Sequence, residues 1–292
     1  MRVFVTGATG FIGSAVVGEL LGAGHEVVGL ARSDKAEARL RAAGAAAHRG
    51  ALEDPASLAA GARGADGVVH LAFIHDFSRY EENADTDRVA AAAMAEALAG
   101  TGKPLVVTSG TAVLPPGRVG TEADGPTAQT RAKSELVLAA ASRGVRVSAV
   151  RLAPTVHGRG DRAFVPALIG IARQAGEAAY VSEGANRWPA VHRLDAARLF
   201  RLALEKGAAG SRFHGVAEEG IPVRAIAGAI GEGLGVPARS IAPEEAEARF
   251  GWLAGFVAAD SPASSAATRG ALGWEPREAG LLDDMREGGY FD

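Results

Sequence analysis

The sequence predicts an α/β fold: a doubly wound parallel sheet with a smaller C-terminal lobe. Short runs rich in Val, Leu and Ile alternate with longer Ala/Leu/Glu/Arg stretches, as expected of a parallel sheet covered by helices on both faces. A glycine-rich loop follows the first of these runs. The chain has 292 residues, of which 48% are apolar and 22% charged, so it can form a sizeable core with a lobe beside it.

The elements follow from these patterns in chain order. Five apolar segments are predicted strands: residues 2–6, 26–31, 67–71, 105–109 and 145–151. The stretches between them are predicted helices: residues 11–23, 34–43, 87–99 and 130–143. Asp34 and Asp87 stand where N-caps are expected. Four glycines follow the last helical turns and are predicted to end them, namely Gly24, Gly44, Gly100 and Gly144. The second half predicts helices at 164–174, 193–205 and 224–234 and a strand at 212–216.

Composition and charge exclude several classes of function. The formal net charge of −3 provides no positive field for DNA or an anionic membrane, so neither is an expected partner. Cysteine is absent, which excludes disulfides, thiolate nucleophiles and cysteine-bound zinc, and no metal site is predicted. The sequence contains no run of eighteen apolar residues, so no membrane span is predicted. Gly7 interrupts the first apolar run too early for a signal peptide. The expected location is therefore the cytoplasm.

The strongest functional signal is the loop Thr6-Gly7-Ala8-Thr9-Gly10-Phe11-Ile12-Gly13, between the first predicted strand and helix. Gly7 permits a tight turn, Gly10 lets the backbone approach a diphosphate, and Gly13 lets helix and strand pack closely. Exposed amides and the positive helix end then bind the phosphates. Strand, loop, helix and second strand together predict a Rossmann-type dinucleotide site. The alternative is a tight turn in an α/β protein that binds no nucleotide.

The end of the second predicted strand indicates which dinucleotide is bound. An NAD site usually has an acidic residue here, which accepts a hydrogen bond from the ribose 2′-hydroxyl. Arg32 instead offers a planar guanidinium suited to a 2′-phosphate, and Ser33 can also donate. The sequence therefore predicts NADP(H). A solvated arginine at a helix start is the alternative, and Asp34 is the residue that could reverse the preference.

In order and spacing, further segments resemble the extended short-chain dehydrogenases/reductases, the superfamily that includes the NAD-dependent epimerase/dehydratase proteins. The matching segments are the TGxxGxxG loop, His70-Leu71-Ala72, Thr108-Ser109-Gly110-Thr111, Arg151 to Gly158, Trp188 to Ala197, and Leu272-Gly273-Trp274-Glu275-Pro276. The resemblance covers nearly the full length. Together with the loop and Arg32, it implies these cofactor-binding residues: Gly7, Thr9, Gly10, Phe11, Ile12, Gly13, Arg32, Ser33, Leu71, Ala72, Lys133 and Pro154.

The resemblance also implies a division of the chain. Residues 1–155 are expected to form the dinucleotide-binding domain, with 190–216 packing back on it. Residues 156–189 and 217–292 are expected to form the smaller substrate lobe. Phe73, Phe77, Phe164 and Trp188 suggest a partly apolar pocket for a small-molecule substrate, although aromatic residues at such an interface are more often core. A homodimer is left open.

The chain departs from the family at its catalytic Tyr-x-x-x-Lys pair. None of its three tyrosines, Tyr80, Tyr180 and Tyr290, has a lysine four residues later. Lys133 occupies a plausible lysine position, which places Gln129 where the tyrosine would be. As the family lysine, Lys133 would bind the nicotinamide ribose; the alternative is a helix-surface lysine. The resemblance is therefore to an atypical subgroup that lacks the usual acid.

Other groups are candidates for catalysis. Gln129 could polarise a carbonyl through its amide. His75 and His157 follow predicted strands at the carboxyl edge, and histidine titrates in a useful range. Thr111 could orient a substrate oxygen. Each of these is also explained as a structural or substrate-lining residue. Losing acid–base help costs about 10²–10⁴-fold in rate, and an imine or conjugated alkene needs little of it.

These observations favour an NADP(H)-dependent oxidoreductase that reduces a carbonyl, imine or activated alkene of a small organic molecule. A catalytically inactive NADP(H)-binding sensor is one alternative, favoured by the missing tyrosine. The other is a nucleotide-sugar-type epimerase or dehydratase, which recycles the hydride on a bound cofactor.

Overall fold

The computed structural model describes residues 1–76, 79–127 and 131–292, with the backbone alone at 131 and 132. The elements of the first half are β1 (Arg2–Thr6), α1 (Phe11–Gly22), β2 (Glu26–Ala31), α2 (Asp34–Ala42), β3 (Ala46–Arg49), α3 (Pro55–Arg63), β4 (Gly67–His70), α4 (Tyr80–Leu98), β5 (Pro104–Gly110), two 3₁₀ segments (Thr111–Val113 and Arg131–Arg143) and β6 (Arg146–Leu152). Those of the second half are β7 (Thr155–His157), α5 (Phe164–Ala175), β8 (Ala178–Val181), β9 (Arg187–His192), α6 (Arg193–Lys206), β10 (Arg212–Gly215), β11 (Glu218–Pro222), α7 (Val223–Leu234), β12 (Ala238–Ile241), α8 (Ala246–Phe250), α9 (Ala254–Ala258), α10 (Ala266–Leu272) and α11 (Leu281–Glu287), with 3₁₀ turns at Pro243–Glu245 and Gly251–Leu253.

The central sheet of the described chain has seven parallel strands in the order β10-β6-β5-β4-β1-β2-β3. Its strand order reverses between β1 and β4, which pair from Val3 opposite Gly67 to Thr6 opposite His70. The doubly wound α/β class is therefore confirmed. Open α/β sheets bind ligands beyond the carboxyl ends of the strands at this reversal, so the two loops that leave β1 and β4 define the expected site.

Helices cover both faces of this sheet because its strands are apolar on both sides. On one face, α1 and α6 pack through fully buried residues such as Leu20 and Phe200. On the other face, α3 and α4 pack through Leu58 and Met94, together with the 3₁₀ helix Arg131–Arg143. None of the helices described here is both long and apolar enough to span a bilayer.

A separate apolar cluster lies in the second half of the chain, where α5, α7, β8 and β9 bury residues such as Trp188 and Ile226. Phe200 of α6 belongs instead to the cluster against the main sheet. The division into a dinucleotide-binding domain and a smaller lobe stays a prediction. The end of the chain packs against the main sheet, since Trp274 lies in its cluster and donates its indole N–H to the Asp195 carbonyl oxygen at 2.9 Å.

One predicted helix start and two predicted N-caps are wrong. The helix expected at 87–99 begins at Tyr80, so Asp87 lies buried inside α4 instead of capping it. The cap of α2 is Ser33, whose Oγ accepts a hydrogen bond from the Ala36 amide at 3.3 Å, and Asp34 is the first helical residue. A serine hydroxyl reaches that amide well, and the sequence Ser-Asp offered two residues of equal capping tendency.

The helix expected at 130–143 also differs, because it is a 3₁₀ helix over Arg131–Arg143 in the described residues. With three residues per turn, every third side chain points the same way. The candidate residues Gln129 and Phe77, and the first residue of the predicted range 130–143, lie outside the described residues. The glycine helix ends are confirmed, since the φ angles of Gly24, Gly44, Gly100 and Gly144 lie between +74° and +86°.

Candidate nucleotide and active site

The glycine-rich loop lies at the strand reversal and depends on glycine at two positions. Gly7 has a φ of +66°, and a Cβ atom there would lie 2.8 Å from the Ala72 nitrogen. A Cβ atom on Gly13 would lie 2.0 Å from the Gly7 carbonyl oxygen. That same oxygen accepts a hydrogen bond from the Gly10 amide at 2.9 Å. The loop therefore folds tightly against both β4 and the start of α1, as the spacing of its glycines predicts.

The first turn of α1 presents backbone donors toward this edge. The amides of Phe11, Ile12 and Gly13 donate to no acceptor in the described part of the chain. Gly10, the N-cap, has no side chain to satisfy them, and the turn carries no acidic residue. Unpaired amides at a positive helix end bind anions. The loop thus fits a diphosphate group.

A chain of three buried side chains joins the loop to the end of β4. Thr6 Oγ1 accepts hydrogen bonds from the amides of Leu71 and Ala72, each at 3.2 Å, and lies 2.6 Å from His70 Nδ1. Because the oxygen already accepts two bonds, its proton goes to Nδ1, and the histidine proton is on Nε2. That nitrogen lies 3.1 Å from Asp87 Oδ1. The network fixes the segment that the family resemblance assigns to the ribose side of the site, and sequence reasoning missed it.

The carboxyl end of β2 carries an unpaired cation. Arg32 is exposed and forms no ion pair with any carboxylate that the structure describes. The nearby Asp34 pairs instead with Arg49, with Oδ1 and Nη1 3.0 Å apart, and Glu37 lies 3.6 Å from the same nitrogen. Ser33 uses its oxygen as the cap of α2, which leaves its proton available for donation. This end of the strand can therefore accept a further anion.

The carboxyl end of β5 carries a buried hydroxyl group. Thr111 begins the turn directly after the strand and is 1% exposed. Its Oγ1 has no hydrogen-bond partner among residues 1–76, 79–127 and 131–292. The last pair of the β5–β6 ladder joins Gly110 to Leu152, so Pro154 leaves β6 at the same edge. A buried hydroxyl without a partner is costly, and a bound oxygen atom at this edge would satisfy it.

Lys133 lies on the exposed side of the 3₁₀ helix, in line with the exposed Leu136 three residues later. Its ammonium group contacts Glu81 at 2.9 Å and Asp85 at 3.1 Å on α4. Hydrogen bonds to Glu81 and then Asp85 raise the pKa of Lys133. Lys133 would have to leave both carboxylates to reach a nicotinamide ribose, so its catalytic role stays a prediction. The same is true of Gln129.

The two candidate histidines lie in different surroundings. His157 is fully buried, with Nδ1 2.8 Å from Asp284 Oδ2 and its ring edge-on to His192 at 5.3 Å. Its Nε2 has no partner in the described part of the chain. A carboxylate that orients an imidazole is typical of general bases, but the His157 imidazole is enclosed by the surrounding protein. His75 is exposed on the loop after β4, with its ring 5.3 Å from that of Phe73.

The three tyrosines all lie within the described residues, and the absence of the family tyrosine stays a prediction. Tyr290 accepts a hydrogen bond from the Gly158 amide at 3.0 Å and donates to Asp161 Oδ2 at 3.2 Å. Burial raises the pKa of Tyr290, which makes it a poorer proton donor. Tyr180 lies on β8, and Tyr80 begins α4.

A buried ion pair that sequence reasoning missed holds the 3₁₀ helix on the main sheet. Glu135 accepts two hydrogen bonds from Arg151, at 2.7 and 2.8 Å, with side chains 3% and 0% exposed. Arg212 on β10 donates a third at 2.8 Å. Burial raises the pKa of Glu135, but the bonds from Arg151 and Arg212 outweigh it and lower the pKa overall. An arginine inside the apolar strand 145–151 was a signal that could have indicated this pair.

The strand order and the glycine loop define a Rossmann-type protein of the extended short-chain dehydrogenase/reductase superfamily. Residues 3–215 match the model of the NAD dependent epimerase/dehydratase family. The chain belongs to this family, which confirms the resemblance seen in the sequence. The family depends on a nicotinamide dinucleotide.

Individual relatives agree with this assignment. An uncharacterised protein of Schizosaccharomyces pombe is 51% identical over 295 residues, covering 100% of both chains. The 2-alkyl-3-oxoalkanoate reductase of Stenotrophomonas maltophilia is 31% identical over 261 residues, covering 81% of this chain and 77% of that protein. The UDP-glucose 4-epimerase of Thermus thermophilus, in complex with NAD, has the same fold, with a TM-score of 0.76 at 22% identity over 100% of this chain and 99% of that one. The family and the reductase relative support an oxidoreductase of the short-chain dehydrogenase/reductase type.

Proposed function

We propose that the protein is an NADP(H)-dependent oxidoreductase that reduces a carbonyl, imine or activated alkene of a small organic molecule. The observation that carries this proposal is the end of β2. Arg32 is exposed there, and no carboxylate of the described residues forms an ion pair with it. The nearby Asp34 is paired with Arg49. A 2′-phosphate would meet a guanidinium and the Ser33 hydroxyl at this point. The reductase relative supports the direction of the reaction.

Each part of the crevice has a proposed task. The amides of the first turn of α1 hold the diphosphate, Leu71 and Ala72 line the ribose side, and Pro154 lines the nicotinamide side. NADPH supplies the hydride when bound. Thr111, whose buried hydroxyl lacks another partner in the described chain, orients the substrate oxygen. His75 is the proposed proton donor, because it is exposed where His157 is enclosed.

The coenzyme preference tests the proposal. A charge-assisted hydrogen bond contributes about 1.5–3 kcal/mol, so Arg32→Glu should weaken NADPH binding by roughly 10- to 100-fold and favour NADH. The matched control is Arg39→Glu, an exposed arginine on α2 beyond the end of β2, which should leave both affinities unchanged. Calorimetric titration with both coenzymes gives the comparison. Equal affinities for NADH and NADPH in the unaltered protein would refute the NADP(H) assignment.

A binding protein without turnover is a second candidate, favoured by the pairing of Lys133 with Glu81 and Asp85. NADPH oxidation separates the two, measured with a panel of 2-alkyl-3-oxoalkanoates, cyclic imines and conjugated enones. Turnover of any panel compound supports the reductase. Tight NADPH binding with no oxidation across the panel supports the sensor. Protein purified with bound NAD⁺ in fixed stoichiometry would instead support an epimerase or dehydratase.

A further inference from the structure

Helix α6 brings a second cation to the glycine loop. It runs alongside α1 in the same direction, since Arg193 contacts Phe11 near one end and Arg201 Nε donates to Glu19 Oε1 at 2.7 Å two turns later. The two helices therefore start at the same edge of the sheet. Arg193, the first residue of α6, contacts the ring of Phe11, the first residue of α1, and so lies at the end of α1 that carries the unpaired amides.

Contacts on three sides fix the position of Arg193. Its guanidinium carbon lies 5.1 Å from the centre of the Phe11 ring, and Nη1 donates to the Arg159 carbonyl oxygen at 3.1 Å. A Cβ atom on Gly158 would lie 3.1 Å from its Cγ, so the stem packs against glycine backbone. The glycine loop and the loop after β7 thus hold one guanidinium between them. The contact with Phe11 is a cation–π contact, which orients the charge without neutralising it.

Arg193 differs from the other arginines of α6 in having no counter-ion. Arg198 pairs with Asp195 and Glu278, and Arg201 pairs with Glu19 and Glu205. For Arg193, no carboxylate of the described chain lies within ion-pair distance. The glycine loop itself contains no lysine or arginine. A charge held in place beside phosphate-binding amides, with no protein anion, is suited to an anion from outside the chain.

We infer that Arg193 is a cofactor-binding residue that supplies counter-charge to the diphosphate. This inference rests on the proposed function, and it assigns the two arginines different tasks. Arg32 selects the 2′-phosphate at one end of the cofactor, and Arg193 binds the diphosphate at the glycine loop. Because Arg193 also holds the Arg159 carbonyl, diphosphate binding is coupled to the position of the lobe loop after β7.

Two ligands separate these tasks: NADPH, and adenosine 2′-monophosphate, which lacks the diphosphate. Arg193→Met should weaken NADPH binding by about tenfold or more and leave the affinity for adenosine 2′-monophosphate within about twofold. Arg193→Lys, which keeps the charge and loses the planar contact, should give an intermediate loss. Arg32→Glu should weaken both ligands. The matched control is Arg201→Met, which removes a guanidinium between the same two helices and should change neither affinity.

Unfolding temperatures verify that each variant is folded, and Arg193→Lys serves as the test if the methionine variant is not. Unchanged NADPH affinity in a folded Arg193 variant, with Arg32→Glu still weakening it, would overturn this inference and leave the proposed function intact. An equal loss for both ligands would also overturn it. Failure of the unaltered protein to bind either coenzyme would remove both.

Discussion

Removing the charge of Glu135 should destabilise the protein strongly, because it would leave the fully buried Arg151 without a counter-ion. In Glu135→Gln, an amide replaces a carboxylate that accepts two bonds from Arg151 and one from Arg212. Breaking one side of a buried ion pair costs about 3–5 kcal/mol. For a chain of this size, that loss corresponds to a fall in Tm of roughly 6–15 °C.

The matched control is Glu96→Gln, which breaks a Glu–Arg pair between α4 and the same 3₁₀ helix at the surface. Glu96 and Arg143 lie 2.6 Å apart, with side chains 67% and 54% exposed. Such exposed pairs contribute about 0–1 kcal/mol. Urea unfolding followed by circular dichroism gives both free energies of unfolding. A cost for Glu135→Gln that is no larger than that for Glu96→Gln would refute the reasoning.

Two further measurements examine the same pair. Adding Arg151→Met to Glu135→Gln removes the buried charge as well, so part of the stability should return. The pKa of Glu135 lies below its ordinary value of 4.5, so its ionised form stabilises the fold above that pH. That contribution is lost as the pH falls through the lowered pKa, and Glu135→Gln should lose this part of the acid dependence.

The remaining predictions concern the glycine loop and the start of α6. Gly13→Ala places a methyl group 2.0 Å from the Gly7 carbonyl oxygen and should cost about 1–3 kcal/mol and weaken NADPH binding. Gly18→Ala, in open space on the same helix, should be neutral or stabilising by up to about 1 kcal/mol, and equal Tm values for the two variants would contradict this. Burial, followed by the charge of His157, lowers the pKa of His192 below 6.5. The neutral form of His192 therefore stabilises the fold above that pH, and this stabilisation is lost as the pH falls through the lowered pKa. Between about pH 7 and pH 5, Tm should fall less in His192→Asn, which keeps a side-chain cap for α6; identical pH profiles would count against it.

Local signals were sufficient for much of the fold. Strand β1 occupies the predicted residues 2–6, and β2 occupies the predicted residues 26–31. Both were predictable because runs of branched apolar residues are typical of strands that are buried on both faces. The glycine helix ends were also predictable, since only glycine adopts a positive φ at low cost. Strand β3 was missed because Ala46–Arg49 has neither an apolar run nor an alternating pattern.

Some features of the candidate site were likewise predictable from the local sequence, and others were not. The glycines of the first loop act through backbone geometry within a few residues, and the sequence shows this directly. Lys133 was predicted to face the cofactor. It instead contacts two carboxylates of α4, which lie 48 and 52 residues earlier in the chain. Asp87 was predicted as a helix cap, but it contacts His70 from inside α4. The prediction failed because a polar residue that caps a helix has the same local sequence pattern as one buried within a helix.

The sequence by itself determined the fold class, the phosphate-binding loop and the cation at the end of β2, because each depends on neighbouring residues or on a regular period. Only the tertiary structure decided which charges are paired. It joined Arg151 to Glu135, Asp34 to Arg49 and Lys133 to α4, and it left Arg32 and Arg193 without counter-ions in the described chain. The physical reason is that an ion pair depends on which strands and helices become neighbours, and packing of the whole sheet sets that.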